Sequence, residues 1–103
     1  MTETSIQHVN FWWLKEPGNI EHIQALTETV TTLKAIPGVV DLKFGPRSST
    51  DWEGPDTSFD YGMIVTFTSL EAVRTYLPHP SHLRAIEVSN LVGERFHAFY
   101  FNG

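Results

Sequence analysis

Apolar positions along the chain change period several times, and each change marks a new element. Residues 5–14, SIQHVNFWWL, are dense in β-branched and aromatic types and end at Lys15-Glu16-Pro17-Gly18, a turn signal, which predicts a first strand. From Asn19 to Ala35 the spacing lengthens: Ile20, Ile23, Leu26, Val30 and Leu33 recur at three and four residues, the stripe of an amphipathic helix. Asn19 can cap that helix, and Pro37-Gly38 stops it. A second strand follows over 39–45 (VVDLKFG), a polar loop over 46–58, and a third strand over 59–67 (FDYGMIVTF). Thr68-Ser69-Leu70-Glu71 fits a capping box that opens a helix running to about Tyr76. A second helical piece is expected from Ser81 to about Asn90, and a fourth strand over 94–101 (ERFHAFYF).

The order β-α-β-β-α-β predicts an α+β, ferredoxin-like fold: a four-stranded antiparallel sheet with its helices on one face. At 103 residues the chain is expected to form one domain over 1–103. The first and fourth strands contain more apolar residues than this arrangement can bury. A sheet with one wet face alternates apolar and polar, whereas the first strand carries Val9, Phe11 and Trp13 on one parity and Ile6, Trp12 and Leu14 on the other. The fourth likewise sets His97, Phe99 and Phe101 against Phe96, Ala98 and Tyr100. Two helices cover only one face, so a second copy is expected on the other, sheet to sheet, as a dimeric α/β barrel.

Charge narrows the partners further. A net charge of −5 with only 7 Lys and Arg gives no surface for nucleic acid, whose binding is built from basic contacts. The chain has no cysteine, which excludes disulfides, thiolate zinc sites and a cysteine nucleophile. With no basic leader and no apolar run long enough to span a bilayer, a cytoplasmic protein without membrane partners is expected.

Candidate chemistry concentrates in YLPHPSHLRAI, residues 76–86. Pro78 and Pro80 break the helix there, while Tyr76, His79 and His82 stay close in sequence. Pro80 reads as the first-turn proline of the second piece, and His79 as a structural cap at the end of the first. His79 and His82 stand three apart, but no third ligand is near, so no metal is expected. By default His22 reads as a surface residue and His97 as a core one. In the loop, Asp51, Glu53 and Asp56 read as solvated, and Trp52 as a lid or a dimer contact.

These segments resemble the stress-responsive dimeric α/β barrel (Dabb) family over essentially the whole chain. The likeness rests on HVNFWWLK, on AIPGVVDLKFG, on YGMIVTFTSLEAV, and above all on YLPHPSHL, which fits the family pattern Y-x-x-H-P-x-H at Tyr76, His79, Pro80 and His82. A catalytic member of that family is a plant polyketide (olivetolic acid) cyclase, which closes a poly-β-ketone by aldol condensation without metal or cofactor. The resemblance implies Tyr76 and His82 as catalytic residues and His8 as a pocket histidine. Two positions depart from the cyclase: Tyr61 stands in place of a pocket histidine, and Thr29 in place of a tyrosine. With Ala25 and Leu26 at its bulky helix positions, the cavity is expected to differ in size and substrate.

A cavity between helices and sheet is then expected to be lined by His8, Asn10, Trp12, Tyr61, Met63, Tyr76, His82, Phe96 and Ala98, with Thr29 as a further substrate-binding position. A neutral imidazole at His82 can take a proton from carbon beside a carbonyl, while Tyr76 donates to the enolate oxygen or to the His82 ring. The expected function is a small-molecule-binding homodimer, an acid–base enzyme of cyclase, isomerase or lyase type, acting without cofactors on a ketone-bearing or aromatic molecule. Two alternatives stand beside it: a non-catalytic stress-responsive or ligand-binding dimer, and a cofactor-independent monooxygenase suggested by Asn10, Trp12 and Trp13.

Overall fold

The computed structural model describes residues 4–103. Its elements run β1 (Ile6–Leu14), α1 (Ile20–Thr31), a 3-10 turn (Thr32–Ala35), β2 (Val39–Pro46), β3 (Tyr61–Phe67), α2 (Leu70–Tyr76), α3 (Pro80–Val92) and β4 (Gly93–Asn102). The four strands form one antiparallel sheet in the order β2-β3-β1-β4, the ferredoxin-like arrangement.

Alternation along β1 decides where the core lies. Ile6, His8, Asn10, Trp12 and Leu14 are buried, and the residues between them only half so. β3 repeats the pattern with Tyr61, Met63, Val65 and Phe67. The apolar members of both sets meet Leu26 and Val30 of α1, Leu33, Val73 of α2, and Ala85 and Val88 of α3 in one cluster. Trp12 also ties the sheet to α3, its indole N–H donating to Ser89 Oγ at 2.9 Å.

Local chemistry moved several boundaries from those expected. Asn19 caps α1, accepting from His22 N at 3.1 Å, but Ile20 is 77% exposed, so the packed stripe begins at the half-buried Ile23 and is fully buried only from Leu26. The helix is α only to Thr31 and tightens into the 3-10 turn beyond it. α2 is capped by Ser69, which accepts from Ala72 N at 3.2 Å, and not by Thr68. That places Glu71 one position short of a capping box, and it pairs instead with Arg74 at 3.2 Å.

β3 starts at Tyr61, and Asp60 just before it joins β1, its backbone N–H donating to Trp12 O at 2.8 Å. Its carboxylate accepts from Leu14 N at 2.8 Å, where the β1–β4 register shifts. Gly38 has φ of +92°, and a Cβ there would lie 2.5 Å from Ala72 Cβ, so the turn into β2 needs glycine.

α3 begins at Pro80 and reaches Val92, two residues past the expected end. His79 caps the start of α3 rather than the end of α2: its ring Nδ1 accepts from Ser81 N at 3.1 Å. His97, expected in the core, is exposed in the single chain, where it lies beside Trp13. Among the described residues no helix is long and apolar enough to cross a membrane.

Candidate functional site

The break between α2 and α3 brings Tyr76 and His82 together, six residues apart in sequence. A continuous helix would place positions six apart on widely separated faces. Here the rings lie with centroids 4.3 Å apart and planes at 38°. They do not hydrogen-bond to each other. His82 Nδ1 lies 2.8 Å from the carbonyl oxygen of Leu77. A carbonyl only accepts, so Nδ1 carries the hydrogen and Nε2 is left with its lone pair.

His8, on β1, completes the group from below. Its ring stacks on Tyr100 of β4 at 4.5 Å and meets Tyr76 edge-on at 6.4 Å. Burial holds its pKa well below the usual histidine value, at about 4; the Phe99 carbonyl at 3.4 Å opposes this weakly, and positive charge on His82 adds to it. His8 is therefore a neutral ring at pH 7. Burial pushes the Tyr76 hydroxyl far above its ordinary value, with Tyr100 nearby adding to the effect, so Tyr76 keeps its proton. Among the described residues its hydroxyl has no hydrogen-bond partner.

These groups surround a cavity of about 50 Å³. His8, Asn10 and Trp12 of β1, with Met63 of β3, form its floor, while Tyr76, His82 and Phe96 close the sides. Three residues of the expected lining are placed elsewhere. Tyr61 is fully buried, and its hydroxyl is engaged by Thr27 Oγ1 at 2.7 Å on α1. Ala98 is exposed on the edge strand opposite Asn10. Thr29 lies on an outer groove between α1 and α3.

Several contributors were missed from the sequence: Val30, Leu33, Ala85, Ile86 and Ser89 also line the cavity. Ser89 lines the cavity two helical turns after His82, a spacing that puts both on one side of α3. Tyr100 was placed on the correct face of β4, but its cross-strand partnership with His8 was not drawn. Trp52 of the 46–58 loop is 64% exposed in the single chain.

At about 50 Å³ the cavity is well below the roughly 300–1,000 Å³ that small-molecule sites span. An aromatic ligand therefore requires part of the wall to move. Ile86 and Phe96, 37% and 42% exposed, are the lining residues least held by packing. Among the described residues, no three His, Asp or Glu side chains converge as a metal site would require.

No curated protein matches the chain significantly. Solved structures do match in fold. A hydroxynitrile lyase from Passiflora edulis superposes with a TM-score of 0.84 at 17% identity, covering 97% of this chain and 94% of the lyase. A dimeric ferredoxin-like protein of unknown function from Thermobifida fusca gives 0.80 at 18% identity, covering 98% and 92%. SnoaB, a cofactor-independent oxygenase from Streptomyces nogalater, gives 0.72 at 17% identity, covering 97% and 93%. At these identities the likeness is one of fold. The sequence itself is more specific: residues 6–99 match the Stress Responsive A/B Barrel Domain, and the chain belongs to that Dabb family.

Proposed function

We propose that the protein is a homodimeric acid–base catalyst of lyase, cyclase or isomerase type, working without a cofactor on a small ketone-bearing or aromatic molecule. The observation that carries this reading is the division of labour between His82 and Tyr76. The Leu77 carbonyl fixes the imidazole tautomer and leaves Nε2 as a base. The hydroxyl beside it is unpartnered and holds its proton, as a donor to a developing oxyanion must. In the reaction, His82 Nε2 takes a proton from carbon next to the carbonyl, and the electron pair moves onto the oxygen. Tyr76 donates a hydrogen bond to that oxygen. His8, neutral and stacked on Tyr100, shapes the floor and adds no charge that would compete with the imidazolium. The lyase and oxygenase neighbours show that this fold accommodates small-molecule chemistry in other proteins, and the Thermobifida neighbour is dimeric.

Proton exchange at carbon tests the reading without knowledge of the natural substrate. Acetophenone in D2O reports loss of its methyl protons by NMR. Wild-type protein is expected to accelerate the exchange, His82→Ala to lower the rate by about 100-fold or more, and Tyr76→Phe by about 10- to 100-fold. Exchange no faster than in buffer, or full activity in both folded variants, would overturn it. The small size of the cavity favours one other reading, a non-catalytic dimer whose Tyr76 and His82 only pin the helix break. In that case both variants lose stability and the wild type shows no exchange.

A further inference from the structure

A second concave region lies on the outer surface, across α3 from the cavity. α3 divides the two by its faces: His82, Ala85 and Ser89 look inward, while Ser81, Arg84 and Val88 line a groove of about 440 Å³ against α1. The opposite wall is Ala25, Glu28, Thr29 and Thr32. Charges of opposite sign thus face one groove from two helices without meeting. Arg84 is tied back along its own helix to Glu87 at 3.0 Å, and Glu28 accepts from Gln24 at 3.2 Å on α1. Neither tether is strong, because exposed pairs three or four residues apart contribute only a few tenths of a kcal/mol.

The floor between them supplies an independent sign of a missing partner. Thr29 is 6% exposed, and its hydroxyl is buried with no hydrogen-bond partner. Threonine in a helix has two accessible χ1 states, one of which bonds a carbonyl of the preceding turn. Here neither that bond nor any other is made, although buried hydroxyls are ordinarily satisfied. Thr32 already donates to the Thr29 carbonyl at 2.7 Å, so its oxygen retains acceptor capacity toward the groove. The first turn of α3 carries no acidic residue, and since Pro80 has no N–H and the Ser81 N–H is taken by His79 Nδ1, Arg84 is the positive group of this wall.

We propose that this groove binds a small zwitterion, with its carboxylate accepting from Arg84 and from the Thr29 hydroxyl, and its ammonium against Glu28. A molecule bearing only one charge meets attraction from one wall and repulsion from the other. A zwitterion of the right length is attracted by both. The proposal is independent of the chemistry at His82, which faces the other side of α3.

The test is an NMR titration of the 15N-labelled full chain with glycine, β-alanine, 4-aminobutyrate and 6-aminohexanoate. Butyrate and butylammonium serve as single-charge arms. One zwitterion is expected to shift the amides of Thr29, Ser81 and Arg84 saturably, at least tenfold more tightly than butyrate or butylammonium. Arg84→Gln and Glu28→Gln should each weaken it about tenfold, and Thr29→Val should weaken it with the fold unchanged. The His82→Ala variant should bind as the wild type does. Butyrate or butylammonium binding as tightly as every zwitterion overturns the proposal. So do the absence of saturable shifts and shifts indifferent to the Arg84 and Glu28 variants.

Discussion

β1 and β4 lie side by side, share a register and read almost alike as sequence, yet they occupy opposite environments. Along β1 every second residue is buried. Along β4 only Gly93 is. Trp12 is 3% exposed and its cross-strand partner Phe96 is 42% exposed. The difference is positional, since β1 lies inside the sheet under the helices and β4 forms its edge. Aromatic content alone therefore does not mark a core strand. The apolar surplus of β4 is what one chain cannot bury, and it falls where the proposed second copy would sit.

The contrast can be broken at Trp12. Trp12→Ala removes a core side chain and its bond to Ser89, with an expected loss of about 3–5 kcal/mol in urea unfolding. Phe96→Ala, directly opposite, should cost about 1 kcal/mol or less, because much of that ring is already in water. Equal losses would show that β4 is covered within one chain.

His8 sharpens the same contrast through pH. The unfolded ring takes up a proton as pH falls through about 6.5, whereas the folded ring resists until about 4. The unfolded state binds more protons in that window, so stability is fully present above it and falls as pH is lowered across it, by on the order of 3 kcal/mol. His8→Gln should flatten this part of the stability–pH curve, measured by denaturation at pH 4 to 7. An unchanged slope would show that the ring is protonated in the fold.

The last variant tests the other face of the edge strand. Phe99 is 54% exposed in the single chain, opposite Val9 in the register. Phe99→Asp should leave monomer folding nearly unchanged by circular dichroism. It should weaken the proposed dimer by about 2 kcal/mol, roughly thirtyfold, in sedimentation equilibrium. An unaffected dimer would place the interface elsewhere.

The periodicity of the sequence made the fold legible, because periods of two and of three to four survive small errors of boundary. Finer features were less legible where two neighbouring residues competed for one task. Thr68 and Ser69 are both capping types, and only the turn geometry selects Ser69. Tyr61 sits on the cavity side of β3, yet Thr27 draws its hydroxyl toward α1. Thr29 sits on α1, whose rotation turns it toward the outer groove. The meeting of Tyr76 with His82 follows from a break that the prolines announced. The identity of the acceptor for His82 did not, since nothing in the residue types singles out the Leu77 carbonyl.

That carbonyl has a consequence for how the chain can vary. Had the helix continued through residues 77–81, Leu77 O would point along the helix axis to the amide of Ser81 rather than be turned out toward the ring of His82. The interruption at Pro78 and Pro80 releases a main-chain oxygen, and the imidazole takes it up. Changes at the two prolines would therefore be felt in the orientation of a ring at position 82. Two residues with no ionisable group thus set which nitrogen of a distant side chain is free to receive a proton.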